Sequence, residues 1–494
     1  MAAIAILGVA GAGAMGAGIA QIGLTAGLAV ILYDTNASAP EKARADILAR
    51  IARLVEKGQL PPGATDDAAA RLTLAGDLDG LATADIVIEA IIEKLEPKQA
   101  LFKALEQVVR PDVILASNTS SLSIAAIGAH CASQGRICGL HFFNPVPLMK
   151  LVEIVAAPGT SELVVREAAT LCETLGKVPV IVRDGPGFLV NLAGRAYTTE
   201  SLHIVQEQVA SPETVDRIMR DGAGFRMGPF ELMDLTGIDV NFPATTGIYA
   251  GYQFDLRLKT TSLHELMFNA GRFGRKTAQG YHTYRDGTLV RTEAVPEIPP
   301  ARGFAAKIAE PADCFAALAD AGLMEGGTIS LIAPLGEDAS TVCARLSLDP
   351  AHTAAIDFTA LPRKHLTVMA PPGGRAAASE VAAWLRGHGY LVEVIGDSPG
   401  FVLQRVLAMI ANLGCELAQL GVGSPRDIDT AMKLAQNYPE GPLEWADHLG
   451  PARVHDILLA LQNITGSDRY RPSLWLRRRA LLGLPVHLAD TEAA

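Results

Sequence analysis

From Met1 to Tyr33 the chain carries no charged residue, and the first charge, Asp34, closes the run. An apolar stretch of that length has to be buried in protein or in lipid. Seven glycines interrupt it and no basic segment precedes it, so neither a spanning helix nor a secretory leader fits. The expectation is a cytoplasmic protein with no membrane contact, opening on a buried strand, a tight turn and a buried helix. The pattern predicts a strand over 4–10, the turn Gly11-Ala-Gly13-Ala14-Met15-Gly16, a helix over 15–26 and a second strand over 29–33. In this GxGxxG spacing the first glycine makes the turn, the second admits a pyrophosphate to the backbone, and the third lets helix pack on strand. Asp34 follows the last of these glycines by eighteen residues. A carboxylate there accepts from ribose hydroxyls and repels a 2′-phosphate, which favours NAD over NADP. The alternative for Asp34 is a helix cap or turn residue.

A charged helical segment runs to Lys57, and strands over 85–90 and 113–116 lead into Glu93 and Lys98 and into Ser117-Asn118-Thr119-Ser120-Ser121. Strands alternating with helices argue for a doubly wound parallel sheet of Rossmann type, whose ligands sit at the carboxyl ends of the strands. Glu93, Lys98 and Ser120 all lie just past such ends, although a solvated ion pair and a helix cap would also place them there. Further on, GLHFFNPVPLMKLVEIV sets His141 twelve residues before Glu153 in an apolar run. An imidazole oriented by a buried carboxylate is suited to removing a hydroxyl proton while a nicotinamide takes the hydride.

The formal net charge of −11 argues against a phosphate-binding nucleic-acid surface. Six cysteines scattered without CxxC spacing predict free thiols and no metal site. The run Arg477-Arg478-Arg479 fits a solvated face or an intramolecular acidic contact better than a nucleic-acid patch.

Taken in order, GAGAMGAGIAQ, VIEAIIEKLEPKQALF, SNTSSLSI, GLHFFNPVPLMKLVEI, DGPGFLVN, MGPFELMDLTG and GRKTAQGY make residues 1–284 resemble the (S)-3-hydroxyacyl-CoA dehydrogenases. The similarity is greatest to bacterial 3-hydroxybutyryl-CoA and phenylacetate-pathway 3-hydroxyadipyl-CoA types, the latter with a second C-terminal module. The resemblance implies NAD-dependent oxidation of a 3-hydroxyacyl-CoA to the 3-oxoacyl-CoA. It makes His141 the general base and Glu153 its orienting carboxylate, with Ser120 and Asn191 on the substrate oxygen and thioester end. It assigns NAD to the loop Gly11–Gly16, including Gly13, Ala14 and Met15, and to Asp34, Glu93, Lys98, Ser120, Asn144 and Lys276. Lys57 is implied as a contact to the CoA moiety, though a lysine before a glycine also suits a helix C-terminus. One departure is plain: the family usually has Arg after the Asn of this motif, and here Leu192 follows Asn191.

The second half repeats the first at an offset of 213. Asp184-Gly-Pro-Gly-Phe188 matches Asp397-Ser-Pro-Gly-Phe401, and Asp216, Gly228-Pro229, Asp234 and Gly237 match Asp429, Gly441-Pro442, Asp447 and Gly450. The expected organisation is therefore a Rossmann domain (1–183), a helical domain (184–284), a degenerate α/β segment (301–396) after a proline-rich linker over 295–300, and a second helical copy (397–485). Ser211-Pro212 and Ser424-Pro425 read as helix starts. At the offset, Leu366 and Gln404 replace Glu153 and Asn191, Ala354 stands at the ungapped position of His141, and no GxGxxG precedes them. Only the first copy is expected to be catalytic. The two helical copies are expected to pack as an internal pseudo-dimer, with a homodimer as a further possibility. Two other readings stay open on sequence: a dehydrogenase of a 3-hydroxy acid without CoA, and a nucleotide-binding protein kept for structure alone.

Overall fold

The computed structural model describes residues 4–290, 298–309 and 312–490, so the first half of the expected linker over 295–300 lies outside the described residues. The chain divides into two compact units, one running through Leu192 and including Gly421–Gln436, the other made of Ala193–Leu420 and the residues from Asn437 onward. Among the described residues no helix is long and apolar enough to cross a membrane.

The first unit is built on eight strands: β1 Ile6–Ala10, β2 Ala29–Tyr33, β3 Leu72–Ala75, β4 Ile86–Glu89, β5 Ile114–Ser117, β6 Ile137–Phe142, β7 Leu151–Ala156 and β8 Val178–Arg183. They lie in the order β3-β2-β1-β4-β5-β6-β7-β8. All neighbours are parallel except β6 and β7, which are antiparallel. Parallel strands are covered on both faces, which is why β4, β5 and β6 are buried throughout and mostly apolar, with Glu89, Ser117 and His141 at or near their carboxyl ends. The helix after β1 spans Ala14–Thr25 and packs against the sheet through Ile19, Ile22 and Leu24. Its approach depends on glycine: a Cβ on Gly16 would stand 1.8 Å from the Gly11 carbonyl oxygen.

The second unit holds helices and a second sheet. A hairpin of β9 Thr283–Arg285 and β10 Thr288–Val290 precedes the described segment that resumes at Ile298. Then come β11 Phe304–Ile308, β12 Leu323–Glu325, β13 Ile329–Ile332, β14 Thr353–Asp357, β15 His365–Met369 and β16 Leu391–Ile395, ordered β12-β11-β13-β14-β15-β16. Here too the sheet is parallel apart from one antiparallel pair, β14 with β15, followed by the parallel β16. It is the first sheet two strands shorter: β12-β11 stand as β2-β1 and β14-β15-β16 as β6-β7-β8, with β13 alone where β4 and β5 lie and, among the described residues, no strand outside β12 where β3 lies. The expected degenerate α/β segment is thus a shortened copy of the first domain.

The ungapped alignment of His141 with Ala354 does not survive the strand register. In the first sheet His141 pairs with Glu153. In the second, Thr367 takes the rung of Glu153, since it pairs with Glu393 as Glu153 does with Val180, and its partner across the antiparallel pair is Asp357, not Ala354. The stretch joining these rungs is two residues shorter in the second copy, ten positions against twelve, which shifts the offset upstream of it.

Within the second unit the helix Arg195–Gln206 lies against the helix Leu403–Gln419. A buried ion network joins them. Arg405, fully buried, donates to Glu200 at 2.5 Å and to Glu207 at 2.7 Å, and Arg469 donates to the other Glu200 oxygen at 2.7 Å. Burial alone would raise the Glu200 carboxyl, but Arg469 and Arg405 hold it down to about 2. Arg257 binds Glu416 at 2.7 Å, and Arg217 binds Glu393 at 2.7 Å. Each of these pairs takes one partner from each half of the chain.

The helix Pro425–Gln436, started by Ser424 accepting from the Asp427 N–H at 3.1 Å, folds with the first unit, so the second helical copy is not self-contained. The arginine run near the C-terminus also divides: Arg477 and Arg478 are exposed, whereas Arg479 is buried over the Trp475 ring at 3.5 Å and binds Asp490 at 2.9 Å. All six cysteines are free thiols, and no metal-binding cluster occurs among the described residues.

Candidate active site

The glycine turn and Asp34 meet at the carboxyl ends of β1 and β2. Gly11 takes φ +114°, a backbone open to glycine and strained for other residues, and a Cβ on it would stand 2.5 Å from the Ala90 carbonyl oxygen. Gly13 opens on free space, since a Cβ there would meet nothing within 4 Å. It is also the N-cap of the helix Ala14–Thr25, and no side chain caps that end, so Ala14 and Met15 present first-turn amides. Asp34 accepts from the Ala12 N–H at 2.7 Å and from the Asn36 N–H at 2.9 Å. A cavity of about 600 Å³ is lined here by Gly11, Gly13, Asp34, Ala90, Ile92 and Pro97, among others. Its glycine floor, open helix end and carboxylate fit a dinucleotide.

Glu93 and Lys98 belong to a network beside this cavity. Lys98 is 1% exposed and donates to Glu89 at 2.5 Å and to Glu93 at 3.2 Å. Glu89, fully buried at the end of β4, also accepts from the Ser117 hydroxyl at 2.6 Å and the Ile91 N–H at 2.7 Å. One oxygen of Glu93 gathers the next loop: it accepts from the Thr119 hydroxyl at 2.6 Å, the Ser120 N–H at 2.9 Å and the Ser121 hydroxyl at 3.1 Å. Burial opposes ionisation of Glu93, but the Thr119 hydroxyl and the Lys98 charge outweigh it and hold the carboxyl below its ordinary range. Lys98 is therefore too enclosed to be an open contact, and it acts by placing Glu93. Ser120 itself is exposed, and its carbonyl accepts from the Asn191 side-chain amide at 3.4 Å.

His141 on β6 and Glu153 on β7 are register partners, so the antiparallel ladder delivers both side chains to one face. The His141 Nδ1 lies 2.6 Å from Glu153 Oε2. The other oxygen of Glu153 accepts from the Leu189 N–H at 3.1 Å and the Val190 N–H at 2.9 Å. Glu153 is fully buried and His141 is 6% exposed. Phe143 and Phe188 flank the imidazole at ring distances of 4.4 and 5.9 Å. With Nδ1 donating to the carboxylate, Nε2 is left as the basic nitrogen.

Asn144 is exposed and precedes the cis peptide to Pro145. Lys57 is exposed at the C-cap of the helix Ala39–Glu56. Lys276 lies in the second unit, where Asp239 binds it at 2.6 Å. Three groups that sequence reasoning passed over are supports, two of them buried and Asn118 half-buried. They are Glu89, Asn118, which accepts from the Phe142 N–H at 2.8 Å, and Lys177, which donates to the Val146 and Met149 carbonyls at 2.6 and 2.8 Å. A carboxylate ending an otherwise apolar strand, as in Ile-Val-Ile-Glu89, is the one signal that pointed to any of them. Leu192, where the family motif has Arg, is buried at 2%.

Residues 6–185 match the NAD-binding domain of the 3-hydroxyacyl-CoA dehydrogenases, and residues 187–284 and 400–485 match their C-terminal domain. The chain is 40% identical over 478 residues, covering 96% of it and 97% of the relative, to a 3-hydroxyadipyl-CoA dehydrogenase of Escherichia coli. It is 38% identical over 280 residues, 57% of this chain and 97% of the relative, to a probable 3-hydroxybutyryl-CoA dehydrogenase of Bacillus subtilis. The crystal structure of a 3-hydroxybutyryl-CoA dehydrogenase from Escherichia coli superposes with a TM-score of 0.88 at 38% identity, covering 97% of this chain and 98% of that one.

Proposed function

Given that the chain belongs to the 3-hydroxyacyl-CoA dehydrogenase family and is an NAD-dependent enzyme of that kind, we propose that His141 is its general base and that dicarboxylic 3-hydroxyacyl-CoA, of the 3-hydroxyadipyl type, is its preferred substrate. The 2.6 Å contact between His141 Nδ1 and Glu153 carries the catalytic assignment. NAD, when bound, accepts the hydride from C3 of the substrate. His141 Nε2 takes the proton of the 3-hydroxyl, and the imidazolium so formed is stabilised by the Glu153 carboxylate, itself fixed by two backbone amides. Ser120 and Asn191, already joined to each other, hold the substrate oxygen and thioester end. Gly11, Gly13, Ala14, Met15, Gly16 and Asp34 cradle the dinucleotide, with Glu93, Ser120, Asn144 and Lys276 as further contacts and Lys98 bracing Glu93. Lys57 offers an ammonium to the CoA phosphates.

The adipyl assignment rests on the name of the full-length relative at 40% identity. The superposed structure is named for the butyryl substrate, so chain length is the point to test. A kcat/KM series over 3-hydroxybutyryl-, longer 3-hydroxyacyl- and 3-hydroxyadipyl-CoA decides it, and a maximum at 3-hydroxybutyryl-CoA would overturn the dicarboxylic reading.

The same reading makes the enzyme cytoplasmic, places it in phenylacetate-type β-oxidation, and divides it into parts 1–183, 184–284, 301–396 and 397–485. It treats the helical copies as an internal pseudo-dimer, supported by the Arg405–Glu200 and Arg257–Glu416 pairs.

A further inference from the structure

Residues Gly421–Gln436 come from the half of the chain without a catalytic dyad, yet they fold with the unit that has one. The helix Pro425–Gln436 runs along β7 and β8. Just before it, the Val422 carbonyl accepts from the Arg183 N–H at 2.9 Å, at the end of β8. Gly423 sits directly over Leu189: a Cβ on Gly423 would stand 2.8 Å from Leu189 Cδ1 and 3.7 Å from the Ile181 carbonyl oxygen. Leu189 is fully buried, and its N–H is one of the two that bind Glu153.

The repeat supplies a mirror of this contact with one change. Gly396, which matches Arg183 at the offset of 213, donates to the carbonyl of Val209, which matches Val422, at 2.8 Å. The residue matching Gly423 is Ala210, and the residue in the rung of Glu153 is Thr367. Glycine therefore occupies this position only where the seat beneath it is the turn that holds a carboxylate.

We propose that segment 421–436, through Gly423, is a positioning element of the active site supplied by the inactive half. The missing side chain of Gly423 lets the segment close on Leu189. The fixed turn then sets the Leu189 and Val190 amides, the amides set Glu153, and Glu153 sets the His141 ring. Displacing a catalytic group by about 1 Å costs on the order of a hundredfold in rate, so a small shift in this stack reaches the chemistry. The inference rests on His141 and Glu153 being the catalytic dyad.

The test uses the full chain. Gly423→Val is expected to lower kcat about tenfold, with KM for NAD and for the acyl-CoA unchanged, and to change the pH profile of kcat/KM, because the group displaced orients the base. Gly423→Ala is expected to move kcat and the profile in the same direction by less, and it decides the matter if Gly423→Val does not fold. Ala210→Val, the mirror substitution, is expected to leave kcat and the profile unchanged. Wild-type kcat and profile in a folded Gly423 variant overturn the proposal, as does an equal loss in Ala210→Val, which would make both effects general packing. His141→Ala separates the two readings. If it keeps turnover, the dyad itself is wrong; if it loses turnover while the Gly423 variants do not, only the positioning role falls.

Discussion

The antiparallel pair β6–β7 sets His141 across from Glu153, and the matching pair β14–β15 sets Asp357 across from Thr367. The backbone is the same, and the side chains divide by what they touch. Residues that hold backbone persist in both halves. Asp184 accepts from the Ser123 hydroxyl and the Ala125 N–H at the start of one short helix, while Asp397 accepts from the Ala339 and Ser340 amides at the start of another. Phe188 and Phe401 share the same left-handed turn, at φ 48° and 51°. Residues proposed to face a ligand are lost. Gln404, in place of Asn191, is 3% exposed and directs its amide inward to the Gly336 N–H, the Pro334 carbonyl and Asp357. Thr367 stands in the rung of Glu153, and the buried carboxylate there is Asp357, one oxygen of which accepts from the Thr359 N–H and hydroxyl and the Gln404 amide, partners within the protein of the kind a buried carboxylate requires.

The largest effect that would break this contrast is on turnover. His141→Ala is expected to reduce kcat/KM by about 10²–10⁴-fold, whereas Leu366→Ala is expected to leave kcat unchanged and to cost about 2–5 kcal/mol in stability. Steady-state kinetics with denaturation curves on both variants checks it; a comparable loss of kcat in Leu366→Ala would mean that the second half takes part in the reaction.

The next prediction concerns the ion network between the helical copies. Arg405→Leu leaves Glu200 and Glu207 without their shared arginine and is expected to cost about 3–5 kcal/mol, read from the midpoint of chemical unfolding. Glu200 also sets a pH dependence. Its folded carboxyl is held at about 2 against an ordinary 4.5, so its stabilising contribution is complete above about 4.5 and is lost as pH falls toward 2. Thermal melts across that window should fall more steeply for the wild type than for Glu200→Gln, and parallel curves would remove Glu200 from the account.

Smaller effects sharpen the asymmetry of ligand binding. Asp34 has no counterpart cradle in the second half, so Asp34→Asn is expected to raise KM for NAD about tenfold and to narrow the preference over NADP, measured with both cofactors. Lys57→Ala should raise KM for the CoA substrate about two- to fivefold at low salt with kcat unchanged, since an exposed ammonium contributes little. A fall in kcat instead would place Lys57 nearer the chemistry.

Much of this was legible in one sequence because the signals are local. The strand over Ala29–Tyr33, the glycine turn and the Ser-Pro helix starts follow from neighbours a few residues apart. The dyad was legible for a related reason: β6 and β7 are consecutive strands, so their pairing depends on one connecting loop. Here the ungapped offset failed, because the stretch is two residues shorter in the second copy and the counterparts of His141 and Glu153 are Asp357 and Thr367, not Ala354 and Leu366.

By itself the sequence determined the glycine turn, the pair His141 and Glu153 proposed as base and carboxylate, and the existence of a repeat without that pair, since each is written in residues close together or at a constant offset. Only the tertiary structure decided which buried groups support them: Glu89 and Lys98 beneath Glu93, the Leu189 and Val190 amides on Glu153, and Gly423 on Leu189. Those contacts join residues up to 234 positions apart (423 minus 189), and a hydrogen bond or a close approach depends on distance in space, which no local pattern encodes.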